Sequence, residues 1–161
     1  MPFKESERNL DSMVAYFLLR YLHFIAIFVL VACVLIQHLA LRPVVLRETI
    51  VRMRKINIIF AIFALVVLVT GLGQWFYGAK PSQFYTANGM MHTKVLLFFI
   101  VGGLSVVPTI FLKKNEKGGH SEEVEVPKKV VMCLRLELLL LFLIPLLATM
   151  LSYGIGLKQA A

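Results

Sequence analysis

The chain has 161 residues, of which 59% are hydrophobic, and a mean hydropathy of +0.81. A soluble domain of this length cannot bury so much apolar surface, so the composition excludes an ordinary globular protein. The formal net charge of +8 lies mostly between apolar runs, where it sets membrane topology and does not indicate a nucleic-acid-binding protein. We therefore expect an integral membrane protein that forms one transmembrane domain over residues 1–161.

Four long apolar runs follow one another along the chain, at residues 13–41, 56–77, 91–112 and 130–157. Each run is long enough to cross a hydrocarbon core of about 30 Å. Because lipid offers the backbone no hydrogen-bond partners, each run is expected to be a helix. The predicted fold class is all-α, a transmembrane four-helix bundle.

The charges of the connecting segments predict the orientation of the bundle. The segments 42–55 and 113–129 each carry five basic residues, whereas the segment 78–90 carries only Lys80. Basic connections stay in the cytoplasm, so both termini should be periplasmic in a bacterial inner membrane. The polar segment 115–127 within the second basic connection is predicted to be a mobile loop.

Three ionisable side chains lie inside the apolar runs at one predicted depth. His23 and Lys94 each stand 19 residues before the next basic segment, and His92 stands two residues further back. At about 1.5 Å per residue, all three lie roughly 28 to 32 Å from the inner boundary, near the outer edge of the bilayer core. Arg20 lies one turn from His23 and could reach an anionic ligand group. Ionisable groups at such depth are costly, so each is a candidate functional residue.

His92 and Lys94 cannot both face the bundle interior. Two positions apart on a helix, their side chains point about 200° away from each other. The long stem of Lys94 suits a group that reaches toward the interface, so helical geometry favours His92 as the inward ligand. The reverse arrangement, with Lys94 inward and one histidine as the sole ligand, stays open.

Two histidines at a shared depth predict a haem site between helices. A neutral imidazole is a good axial ligand for haem iron, and bundle cores commonly hold cofactors. His23 and His92 are therefore predicted metal ligands of haem b, with Arg20 and Lys94 near carboxylates of the ligand. Small residues would leave room for the ring: Gly71, Gly73, Gly154 and Gly156. Alternatively, the glycines serve helix packing and each histidine is a polar contact between helices.

A second polar group lies in the fourth run, at Arg135 and Glu137. Glu137 should lie roughly 12 Å inside the cytoplasmic boundary by the helical rise. Residues at a similar depth that could partner it are Arg54, Lys55 and Asn57. A structural ion pair is one interpretation, and a proton path from the cytoplasm is the other.

The chain also resembles known families at these residues. The segments Tyr21-Leu22-His23 and Met91-His92-Thr93-Lys94-Val95-Leu96 resemble the HemJ-type protoporphyrinogen oxidases, small helical membrane proteins associated with haem. That resemblance implies roles for His23, His92 and Lys94 in haem binding. The Trp-rich continuation of the first helix in those oxidases is absent here. The resemblance therefore supports haem binding by this chain more strongly than it supports their enzyme activity.

A closer resemblance covers roughly residues 15 to 155. The stretches Phe76-Tyr77-Gly78-Ala79-Lys80 and Leu104-Ser105-Val106-Val107-Pro108-Thr109 are similar to an uncharacterised bacterial family of four-helix membrane proteins. That family is distantly similar to HemJ and to the CopD-like copper-resistance membrane proteins. For copper, Met90 and Met91 beside His92 are the residues of a suitable type.

Two functions follow as expectations. The first is a haem-binding membrane protein in electron transfer or tetrapyrrole oxidation, and so a possible haem-dependent oxidoreductase. The second is a cofactor-free accessory subunit that packs against a larger membrane complex, such as a respiratory one. A homo-oligomer is compatible with either, and the lipid bilayer is the partner common to both.

Overall fold

The fold is an all-α bundle of four long helices with a small sheet at one end. The computed structural model describes residues 2–77, 86 and 89–153, with side chains for 13–76, 86, 89–150 and 153. The helices are α1 (Pro2–Ala40), α2 (Arg47–Tyr77), α3 (Gly89–Asn115) and α4 (Lys128–Ser152), and the strands are β1 (Val44–Leu46) and β2 (Glu123–Glu125). Each helix contains a segment long and apolar enough to cross a membrane, which confirms the predicted fold class.

Two of the helices extend well beyond the predicted apolar runs. α1 begins at Pro2 and not at residue 13, and α2 begins at Arg47 and not at residue 56. Hydropathy marks only the part of a helix that matches the bilayer, whereas helical hydrogen bonding continues into water over polar residues. In the first turns of α2, Glu48 accepts a hydrogen bond from Arg52 four residues later, a spacing that stabilises helices. Residues 154–157 of the fourth predicted run lie outside the described residues.

The helices pack in a ring in chain order. α1 packs most extensively on α2 and α3 on α4, while α1–α4 and α2–α3 contacts close the ring. Aliphatic side chains such as Leu30, Val34 and Leu134 fill the interior. Large apolar side chains also cover the outside, among them Phe28, Leu65 and Phe142. An apolar exterior of this kind is the surface that lipid tails cover.

A two-stranded sheet ties the two basic connections together. β1 pairs with β2 in antiparallel register, with Val45 opposite Val124. Arg47 donates hydrogen bonds to the carbonyl oxygens of Asn115 (2.9 Å) and Lys117 (2.7 Å) and pairs with Glu122 at 2.6 Å. We call this the sheet end of the bundle. The prediction of a mobile loop over 115–127 is therefore corrected, because a three-residue strand and one arginine hold part of it in place.

Candidate functional site

A cavity of about 240 Å³ lies among the four helices in the half of the bundle away from the sheet end. All four helices contribute to its walls, which are mostly aliphatic and aromatic. Two lining residues carry ionisable side chains, His23 on α1 and Lys94 on α3. An apolar cavity with a few polar groups is the usual form of a small-molecule site.

His23 is held in one orientation by Thr70 of α2. The His23 Nδ1 and Thr70 Oγ1 atoms lie 2.8 Å apart. The Thr70 hydroxyl donates to the Val66 carbonyl oxygen at 2.6 Å, so its oxygen accepts the hydrogen bond from His23. The proton of the neutral imidazole is therefore on Nδ1, and Nε2 keeps its lone pair. Among the described residues no hydrogen bond to Nε2 is found.

The ring of His23 lies against the backbone of α2 because residue 71 is glycine. A Cβ atom at Gly71 would stand 3.2 Å from His23 Cε1, closer than an ordinary van der Waals contact. At Gly73 a Cβ atom would stand 3.1 Å from Leu19 Cδ2. The two glycines thus allow α1 and α2 to approach closely, and Gly71 also lines the cavity. Gly154 and Gly156 lie outside the described residues.

Lys94 brings a cation to the same cavity. The side chain is partly buried and lines the same cavity as His23. The ion pairs of the described residues do not include Lys94, so its charge is available to an anionic group. An ammonium group without a carboxylate partner inside an apolar cavity is costly, which favours a site that binds an anion.

His92 lies outside the cavity. Its side chain is exposed, and its Nε2–H donates to the Thr86 carbonyl oxygen at 2.9 Å. The ring meets the indole of Trp75 edge-on, at 6.0 Å between centroids, and it is Trp75 that lines the cavity. Helical geometry favoured His92 as the inward group, and the structure has Lys94 there instead. The reason is that Met91, Lys94, Val95 and Phe98 form the inward stripe of α3, with His92 off it.

Arg20 is exposed and does not line the cavity. Its guanidinium carbon lies 5.8 Å from the centroid of the Phe24 ring, one turn along α1. Of the four residues predicted for the site, the structure thus brings His23 and Lys94 together and leaves His92 and Arg20 outside the walls. Thr70, which fixes the orientation of His23, was not predicted. A lone threonine inside the second apolar run was the available signal for it.

Among the described residues, no group of three or more His, Cys, Asp and Glu side chains could hold a metal ion. Methionine is not among these side-chain types, so the copper option at Met90, Met91 and His92 stays a prediction. Haem needs only one or two protein ligands, so this finding does not bear on it.

Comparison with known proteins gives a family and no assigned activity. No curated protein and no solved structure matches the chain. Nothing in these comparisons links it to the HemJ-type oxidases or to the CopD-like proteins. One family matches residues 15–156, nearly the whole length of the four helices. With four helices able to cross a bilayer, this chain belongs to the family described as "Predicted membrane protein (DUF2214)".

Proposed function

We propose that the cavity binds haem b and that the protein acts in electron transfer or in the oxidation of a tetrapyrrole. His23 is the protein ligand in this proposal, and Lys94 is the cation that meets a propionate. The observation that carries it is the hydrogen bond from His23 Nδ1 to Thr70 in a residue that lines the cavity, because this bond leaves Nε2 as the ring nitrogen available to a metal.

The residues of the cavity suit the chemistry of haem. Metal-bound histidines almost always donate their other ring N–H to a fixed acceptor, which orients the ring and raises its basicity. Thr70 is such an acceptor for His23. The aromatic and aliphatic walls suit the apolar macrocycle, and the ammonium of Lys94 suits a carboxylate.

The size of the cavity limits how much of the ring is enclosed. Its volume of about 240 Å³ lies below the range of about 300 to 1,000 Å³ typical of sites for drug-sized ligands. A macrocycle therefore requires either that the side chains of the walls move apart or that part of the ring extends between the helices toward the lipid. Phe98 and Phe99 are the large lining side chains on α3 that such a movement involves.

The bound group would supply one-electron redox chemistry, and the chain supplies binding and orientation. Thr70 holds the tautomer of His23, and Gly71 permits the ring to approach α2. Lys94 fixes the orientation of a carboxylate, and the apolar walls exclude water. A single histidine ligand is the arrangement expected here, since His92 is exposed and does not line the cavity.

An optical spectrum of the purified protein tests the proposal. After expression with ample haem, the wild-type protein should show a Soret band, and His23→Ala should lose it. His92→Ala and the matched control His120→Ala, in the exposed connection before β2, should both keep it. Loss of the band in His92→Ala would indicate that His92 is a haem ligand and would refute the single-ligand arrangement.

A colourless wild-type protein would refute the haem proposal. Copurification of a stoichiometric larger membrane partner in mild detergent would then favour the alternative function, a cofactor-free accessory subunit. The two outcomes are read from one preparation, by its spectrum and by its composition on a gel.

A further inference from the structure

A buried carboxyl group lies in the half of the bundle nearer the sheet end. Glu137 on α4 is only 1% exposed, and its Oε1 atom has no hydrogen-bond partner. Within the membrane-crossing segments 13–40, 47–76, 89–115 and 128–150, the acidic residues are Glu48, in the first turn of α2, and Glu137. Glu137 is therefore the one acidic side chain in these segments that lies away from the helix ends.

The residues predicted to partner Glu137 are not paired with it in the described part of the chain. Arg54 pairs with Glu116 at 3.4 Å, and the Asn57 amide donates to Thr109 Oγ1 at 2.9 Å. Lys55 is exposed, as is Arg135, which points about 200° away from Glu137 on the same helix. The expected structural ion pair is therefore absent from the described residues.

The helices packed against α4 bring no charge to Glu137 either. On α1, the last two turns before the sheet end carry the polar or titratable side chains Gln37 and His38. On α3, Lys113 and Lys114 are exposed at the sheet end. No described residue forms an ion pair with Glu137.

Protonation is the least costly state for a carboxyl in this setting. An ionised carboxylate is acceptor-only, and Glu137 has neither an ion pair among the described residues nor a hydrogen bond to its Oε1 atom. Burying such a charge unpaired costs many times more than burying a neutral acid. A neutral carboxyl carries one O–H donor. Gln37 Oε1, which is buried without a donor on the adjacent helix, is an acceptor of the kind it can satisfy.

Other polar atoms without partners lie on both sides of Glu137, toward the cavity and toward the sheet end. Glu137 is four residues before the cavity-lining Leu141, about 6 Å by the helical rise. Because residue 145 is proline, the Leu141 carbonyl lacks its usual hydrogen bond from the next turn. Toward the sheet end, His38 Nδ1 is another buried atom without a partner. The carboxyl thus lies between the sheet end and the cavity.

We propose that Glu137 is an intramembrane proton-binding site, held as a neutral carboxyl between the sheet end and the cavity. The proposal is independent of the cavity's ligand, so haem binding and proton binding can fail separately. The proton is carried on a carboxyl oxygen and leaves as the O–H bond breaks, with a water molecule or the acceptor next along the path receiving it.

Dicyclohexylcarbodiimide tests the protonation state, because it enters apolar phases and reacts with protonated carboxyls. The full-length protein in detergent is treated with it, digested and mapped by mass spectrometry. Glu137 should be modified at neutral pH, and modification should fall as the pH is raised. A water-soluble carbodiimide should modify exposed glutamates such as Glu123 and leave Glu137 unmodified.

Two matched variants complete the experiment. Glu137→Gln, a neutral isostere, should abolish the modification and keep the elution volume and helical content of the wild type. Glu123→Gln should leave the modification of Glu137 unchanged. If Glu137→Gln does not fold, the pH profile of the wild-type protein decides alone. Absence of modification at Glu137 at neutral pH in a folded protein would overturn the proposal.

Discussion

Replacing Thr70 by valine tests how His23 is held. Valine keeps the shape of threonine and removes the hydroxyl, so the His23 Nδ1–H loses the oxygen that lies 2.8 Å away. An orphaned buried donor costs about 1–3 kcal/mol in a soluble protein. Hydrogen bonds between membrane helices average only about 0.6 kcal/mol and reach about 1.7, because the unfolded state in the membrane finds other partners.

The partial burial of His23 decides between these figures. His23 is half-buried and not fully enclosed, so the lower range applies. We expect Thr70→Val to destabilise the fold by about 1 kcal/mol, which is about a fivefold change in the unfolding equilibrium. Thr70→Ser, which keeps a hydroxyl, should recover most of the loss.

The assay combines stability with a direct reading of the tautomer. Unfolding by SDS titration gives the free energy, and ¹⁵N NMR of histidine-labelled protein reports which ring nitrogen carries the proton. In the wild type the proton of His23 should be on Nδ1, and in Thr70→Val the two tautomers should mix. The matched control is Thr93→Val, because the Thr93 hydroxyl bonds only within its own helix, to Gly89, and is exposed. An unchanged tautomer and an unchanged free energy in Thr70→Val would refute the reasoning.

Three further predictions concern other contacts. Gly71→Val should separate α1 from α2 and cost about 1–3 kcal/mol in SDS unfolding, because its side chain enters the space of the imidazole. Asn57→Leu should cost about 0.5–2 kcal/mol, and a double-mutant cycle with Thr109→Val should assign most of it to their hydrogen bond. The hydrogen bond from Arg47 holds the pKa of Glu122 below its usual value. Its stabilisation should therefore be complete above the unfolded-state pKa of about 4.3 and be lost as pH falls through the lower folded value. Thermal unfolding against pH should show a shallower acid loss in Glu122→Gln than in the wild type.

Each of these three predictions has a control variant in the same chain. Gly102→Val adds the same side chain where nothing lies within 4 Å of the new Cβ, so it should change stability little. If it costs as much as Gly71→Val, the close approach of His23 is not the cause. Glu123→Gln removes an exposed carboxylate that has no ion pair among the described residues, and its acid profile should match the wild type. In the double-mutant cycle we expect Asn57→Leu, Thr109→Val and the double variant to lower the stability by similar amounts. If instead the losses of the two single variants add up in the double variant, the prediction is contradicted.

The sequence alone predicted four helices long and apolar enough to cross a bilayer, and one shared level along the bundle for His23 and Lys94. Bilayer thickness sets the length of an apolar run, and the helical rise converts sequence position into depth. Run length and helical rise depend only on position along the sequence. The four helices and the shared level of His23 and Lys94 could therefore be predicted without knowing how the helices pack. The ends of α1 and α2 could not, since helices extend into water past the apolar run.

Only the tertiary structure decided how each helix is rotated and which side chains meet. The 200° angle between His92 and Lys94 follows from the helix, but the choice of Lys94 as the inward group depends on how α3 packs beside the cavity. The contacts of His23 with Thr70 and of Asn57 with Thr109 span 47 and 52 residues of sequence. A uniformly apolar helix carries little amphipathic pattern, because lipid and protein interior are equally apolar, so its rotation is set by the fit of side chains from neighbouring helices.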